Sequence, residues 1–243
     1  MDLKTVIVYR SKHHGNTKKL VDAIVAAHPD IDTVDVGALG KNEYPDLSPY
    51  HIIVMASGIY YGSFDKDLLR VADHCLRDGD KVVGLMTYGG QSKYNGRDLD
   101  SACRLKFANL LCMYGCPGFD TYGPFKFVGG MNKDRPNQED IDGAVAFYDR
   151  LVDDYGEIII EERIKRDKQD AFNAAHPAGG LLTNIKRTAK KIANRGKKKD
   201  GANAPAAGQQ EAAHAHNAAD SAPSQAPEAA QNGNSDPSGS TEE

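Results

Sequence analysis

Three short runs of apolar, largely β-branched residues constrain this chain more than any other feature: 5–9 (TVIVY), 51–56 (HIIVMA) and 80–86 (DKVVGLM). Each is followed by a polar, glycine-bearing turn and then by apolar residues at helical spacing. Leu20, Val21, Ile24 and Val25 share one helical face after the first run. Phe64, Leu68, Leu69 and Ala72 mark a helix after the second, and Leu99, Cys103, Leu105, Leu110 and Leu111 predict one after the third. Weaker strands are expected at 33–36 and 118–122, and a fourth helix over 141–152. Strands that read as unbroken apolar runs are buried on both faces, and strands alternating with helices pair in parallel under a helical cover. Five strands in this rhythm fit an α/β fold: a doubly wound five-stranded parallel sheet of order 2-1-3-4-5. Its ligand crevice lies beyond the carboxyl ends of the strands.

Charge divides the chain into three. Residues 1–156 carry a net −4, residues 157–199 a net +7, and residues 200–243 a net −7 with no basic residue. The last segment has no aromatic residue and no Leu, Ile or Val. It cannot bury enough apolar surface to offset its ordering entropy, so a disordered acidic tail is expected. The middle segment reads as a helical, basic extension, interrupted by the breaker 176–180 (HPAGG). The first segment has the pattern of a domain, and about 150 residues suffice for one core.

The longest apolar stretch, 52–56, is far short of the roughly 20 residues that span a bilayer. Residues 1–10 enter their apolar run at once, without the parts of a signal peptide, so the expected location is the cytoplasm. Cys75, Cys103, Cys112 and Cys116 are then expected as reduced thiols. Their spacing is neither a redox CxxC nor a zinc pattern, and no metal site is expected.

Chemistry concentrates in three loops at strand ends. The first holds Ser11, His13, His14, Gly15, Asn16 and Thr17 between a strand and a helix amino terminus. Free N–H groups there favour an anion, glycine admits close approach, and the hydroxyls are neutral donors. Neither a Walker lysine pattern nor GxGxxG is present, so a phosphate monoester fits better than a nucleoside triphosphate or a dinucleotide. An ordinary N-capped turn would use the same residues. The second loop, 57–63, contains Ser57, Tyr60, Tyr61 and Gly62; tyrosines exposed at a strand end can lie flat on a planar ring. The third, 87–96, contains Thr87, Tyr88, Gly89, Gly90 and Tyr94, able to present backbone amides and a ring.

Taken together the loops resemble those of the flavodoxin family, over roughly residues 4–154. Gly15-Asn16-Thr17 is similar to the end of that family's phosphate turn, one residue longer here and with His13-His14 in place of hydroxyl residues. Tyr61-Gly62 matches its aromatic-glycine pair, and the stretch from Thr87 to Tyr94 its last loop. The resemblance implies non-covalent FMN, with Ser11, His14, Gly15, Asn16 and Thr17 on the phosphate and Tyr61 and Tyr94 sandwiching the ring. The Gly62 peptide would hydrogen-bond the flavin N5 once that atom is protonated. It implies an electron carrier that moves one electron at a time, serves redox partner proteins or a quinone, and has no catalytic acid or base. Residues 59–64 also resemble the flavodoxin-like protoporphyrinogen oxidases, which leaves an FMN-dependent quinone reductase or porphyrinogen oxidase as an alternative. A flavodoxin-fold binding module without flavin is the third.

Residues 181–199 contain eight Lys+Arg and no acid. A basic face beside an apolar one could hold the chain peripherally at the inner face of a membrane, at about 1 kcal/mol per basic residue. A solvated linker balanced by the acidic tail is the plainer reading. The absence of aromatic residues from the segment argues against nucleic acid.

Overall fold

The computed structural model describes residues 2–122, 127, 129–176 and 185. The expected basic helix over 181–199 and the acidic tail over 200–243 lie outside the described residues, Ile185 excepted. The elements run β1 (Thr5–Arg10), α1 (Asn16–Ala27), β2 (Asp32–Asp35), β3 (Ile52–Gly58), α2 (Lys66–Cys75), β4 (Lys81–Tyr88), α3 (Arg97–Leu105), β5 (Asn109–Pro117) and α4 (Gln138–Ala175). All strand pairs are parallel, in the order β2-β1-β3-β4-β5. This is the flavodoxin-like doubly wound order.

Strand alternation sorts the core into two layers. Val6 and Val8 of β1, Ile53 and Met55 of β3 and Val82 of β4 face α2 and α3 through Leu68, Val71, Leu99 and Cys103. Ile7, Ile52, Val54, Ala56, Val83 and Leu85 face the other way, toward Leu20, Val21 and Ile24 of α1 and Ala144, Tyr148, Leu151 and Ile159 of α4. Both faces of the three central strands are therefore buried, as their unbroken apolar runs require.

The fifth strand corrects the sequence reading. It occupies Asn109–Pro117 and not 118–122, and the third helix stops at Leu105 instead of extending through Leu111. Leu110 and Leu111 continue the helical spacing of Leu99 and Cys103. The helix nevertheless ends where Phe107 takes φ of 58°. Beyond it the chain pairs with β4 as a sheet edge, so its residues are only partly covered and lack the signature of a central strand.

The fourth helix exceeds the expected 141–152 at both ends. Asn137 and Asp140 form a reciprocal capping box at its start, with Arg135 2.5 Å from Asp140. It stops before Pro177, whose predecessor, His176, has left the helical region. At 38 residues it is roughly 57 Å long, about twice the length of the longest strand. Its second half is tied to the loops at the amino ends of the strands. Arg163 donates to the carbonyls of Ser48 and Tyr50, Arg166 donates to the carbonyl of Asp78, and Glu162 pairs with Lys81. No described helix is long and apolar enough to cross a membrane.

Candidate functional site

The strand register brings four loop origins to one edge of the sheet. Arg10 is level with Ser57, Gly58 with Thr87, and Tyr88 with Pro117. β1 continues to β2 on one side and has β3 on the other, so the crevice above β1 and β3 is the topological switch point where such sheets bind ligands.

The first loop closes through two consecutive left-handed residues, His14 at φ 55° and Gly15 at φ 67°. Gly15 is the N-cap of α1 without any side-chain cap, and the first turn contains no acid. Among the described residues, the side-chain contact to its first amides is Ser11 Oγ, which accepts from Lys18 N at 3.3 Å, while Asn16 N reaches the His13 carbonyl at 3.3 Å. The positive end of the helix dipole thus has no acidic side chain of its own first turn on it. Lys12 does not add its charge there: Nζ is 2.5 Å from Asp65 Oδ2, at the amino end of α2. His14 turns sideways, with Nε2 3.0 Å from Thr121 Oγ1 and its ring 4.2 Å from that of Phe119. His13 lies 5.4 Å from the Tyr60 ring. Asn16 Nδ2 donates to the Phe119 carbonyl, while its Oδ1 is buried and has no protein partner.

The second loop is a two-residue hairpin. Tyr60 and Ser63 exchange both backbone hydrogen bonds, at 2.7 and 3.1 Å. Tyr61 at φ 55° and Gly62 at φ 82° form its corner, the double positive φ of a type I′ turn. This conformation throws the Tyr61 ring outward, where it is 85% exposed. Tyr60 instead packs inward over Gly58, and its hydroxyl accepts from Lys12 N. Burial pushes that phenol above its usual range. A Cβ on Gly15 or Gly62 would meet nothing within 4 Å, so space is open beside both.

The third loop presents Gly90 and a half-exposed Tyr94. Arg97 Cζ lies 4.5 Å and Lys93 Nζ 5.2 Å from the Tyr94 centroid. Several sequence-predicted residues hold the loops together. The Thr17 and Thr87 hydroxyls are buried 2.9 Å apart and bond to each other. Ser57 Oγ donates to the Gly58 carbonyl and accepts from Asp65 N. The Tyr88 ring lies against Gly115, and Gly89 closes on Asp120.

A fourth loop, after β5, escaped the sequence reading because 118–122 was read as a strand. It crosses toward the other three. Phe119 and Thr121 touch His14, Tyr122 meets Tyr61, and Asn132 Nδ2 donates to the Gly89 carbonyl at 2.8 Å. Four aromatic residues among glycines after Pro117 (Phe119, Tyr122, Phe125 and Phe127), without strand alternation, are the signal that marks it.

The four cysteines are free. Burial pushes the thiols of Cys103 and Cys116 up to about 12 and that of Cys112 up to about 11, which makes them packing groups and not nucleophiles. Among the described residues no group of three or more His, Cys, Asp or Glu could hold a metal ion.

No family model matches the chain. Over 148 residues, 60% of this chain and 95% of its relative, it is 31% identical to the uncharacterized protein MJ0298 of Methanocaldococcus jannaschii. The chain belongs to the same family as this archaeal protein. Similar solved structures include oxidised flavodoxin 1 of Bacillus cereus, at 15% identity and a TM-score of 0.45, covering 61% of this chain and 97% of that one. A flavoprotein in complex with FMN from Lactobacillus acidophilus has 17% identity and a TM-score of 0.37, covering 47% and 93%. The fold assignment itself stands on the order and register of this chain's own sheet.

The residues fit a flavin mononucleotide. The uncapped start of α1, with neutral donors and no acid, suits a phosphate monoester. The orphaned Asn16 Oδ1 suits a hydroxyl donor, and the outward tyrosines suit a planar ring.

Proposed function

We propose that the chain binds FMN at the carboxyl edge of its sheet and serves as a one-electron carrier of flavodoxin type. The observation that carries this reading is the Tyr61-Gly62 turn. It holds a tyrosine ring in water, in a backbone conformation unfavourable to tyrosine, on the same sheet edge as an uncapped helix terminus. Strain of this kind persists where function requires it. The backbone amides of Gly15, Asn16 and Thr17, with Ser11, would hold the phosphate. Tyr61 and Tyr94 would line the ring and exclude water from it, and a poorly solvated ring resists added negative charge. The Gly62 peptide would bond the ring edge. When bound, FMN supplies the redox chemistry, and these residues supply position and potential. Redox proteins or a quinone would be the partners. Residues 157–175 complete the domain through Ile159, Arg163 and Arg166, and the chain after them would be an appendage to it.

The test is a purified chain, its absorbance spectrum and chromatography of the flavin it releases. A yellow protein releasing about one FMN per chain supports the reading, and redox titration follows. A colourless chain that takes up no added FMN refutes it. One observation favours a second reading, a flavin-fold binding module without flavin: the Tyr94 ring already carries Arg97 and Lys93. In such a module that stack is the working state.

A further inference from the structure

Tyr61 and Tyr122 come from different loops, after β3 and after β5, and meet with centroids 5.0 Å apart at 76°. Both are exposed, Tyr61 at 85% and Tyr122 at 62%. Neither belongs to the core, so packing of the fold does not call for the pair. The loop under Tyr122 is braced on three sides. Asp120 pairs with Met131 through two backbone hydrogen bonds, Asp120 Oδ1 accepts from Tyr122 N, and Thr121 meets His14. Tyr122 is thus a ring on a fixed platform, and Tyr61 is a ring on a two-residue turn with little else beside it.

We infer that Tyr122 is a positioning residue for the flavin site: its braced, edge-to-face contact holds the Tyr61 ring in the orientation that stacks on a planar ligand. The inference rests on the flavin reading. An unsupported exposed ring samples several rotamers and loses that freedom on binding; a ring already held has less to lose. An aromatic pair as exposed as this one is worth about 0.5 kcal/mol, which converts to a roughly 2- to 3-fold effect on affinity. Because the contact acts on the ring and not on the phosphate, FMN and riboflavin must respond alike.

The experiment titrates the full chain with FMN and with riboflavin, following the quenching of flavin fluorescence, for wild type, Tyr122→Ala, Tyr122→Phe, Tyr61→Ala and the Tyr61→Ala/Tyr122→Ala double variant. Tyr122→Ala is expected to weaken both ligands about 2- to 3-fold and to reduce quenching in the saturated complex. Tyr122→Phe keeps most of the wild-type behaviour. In the Tyr61→Ala background, removing Tyr122 adds nothing, because it acts through a ring no longer there. Unchanged affinity in Tyr122→Ala, an equal loss in the Tyr61→Ala background, or a loss confined to FMN overturns the inference while the flavin reading stands. A wild-type chain that binds neither ligand overturns both.

Discussion

Replacing Tyr61 with asparagine separates stability from binding and does so with opposite signs. Tyr61 sits at φ 55° in a type I′ turn followed by Gly62. An ordinary L-residue in the left-handed region costs roughly 1–2 kcal/mol, and asparagine adopts it readily. Asparagine before glycine is the preferred pair for this turn. Little is lost in exchange, since the ring is 85% exposed and its contact with Tyr122 is worth about 0.5 kcal/mol in so open a setting. Tyr61→Asn is therefore expected to stabilise the flavin-free chain by about 0.5–1.5 kcal/mol, raising its Tm by roughly 1–6 °C. The same change removes a stacking surface worth about 1–3 kcal/mol, so FMN should bind about 5- to 150-fold more weakly. Thermal unfolding is followed on flavin-free protein, because bound ligand raises stability by mass action, and affinity is measured by flavin fluorescence. A variant less stable than wild type would refute the strain argument. One that binds FMN with wild-type affinity would remove Tyr61 from the site.

Three further outcomes follow from the same geometry. Thr87→Val leaves Thr17 Oγ1 buried and alone and should cost about 1–3 kcal/mol in urea unfolding, whereas Thr17→Val/Thr87→Val should be close to neutral; equal losses would show that the hydroxyl pair is not the issue. Arg97→Ala frees a face of Tyr94 from a cation worth about 0.5–1 kcal/mol, so FMN affinity should rise about 2- to 5-fold, and no change would mean that Arg97 does not compete for that ring. His51 is buried with Nδ1 accepting from Lys4 N, and burial, with help from Arg163, holds its imidazole below the usual range. A histidine with a depressed native pKa contributes stability above about pH 6.5, which is lost as pH falls below that value toward the native pKa. His51→Gln retains an acceptor that does not titrate, so its stability should fall less than that of wild type between about pH 7 and 5; parallel curves would rule His51 out.

The central strands and the first two helices were legible because both faces of β1, β3 and β4 are buried, which leaves unbroken apolar runs. β5 was not, because an edge strand is half covered and its Leu110-Leu111 pair mimics helical spacing. The length of α4 was hidden by a change of charge near residue 157, which alters the solvent face of the helix without ending it. Glycine and tyrosine content disclosed three loops of the site. The fourth was hidden because its meaning lies in partners more than a hundred residues away, such as His14 for Thr121. The mutual bond of the Thr17 and Thr87 hydroxyls, 70 positions apart, is hidden for the same reason.

The helix that completes the second core layer is the last described element in the chain, and this sets the order in which the domain can come together. β1, β3 and β4 have all been synthesised by Tyr88, yet Ala144, Tyr148, Leu151 and Ile159, which finish the layer around Ile7, Ile52, Val54 and Leu85, follow some sixty residues later. Thr5 waits for the hydroxyl of Tyr148, a partner 143 positions away. Until that stretch leaves the ribosome, an apolar sheet face stays open to proteases and to neighbouring nascent chains, the condition under which intermediates aggregate. Nascent chains arrested before residue 144 should be cut readily within β3 and β4. Those released past Arg166, once its contacts with Asp78 and Asp80 can form, should resist.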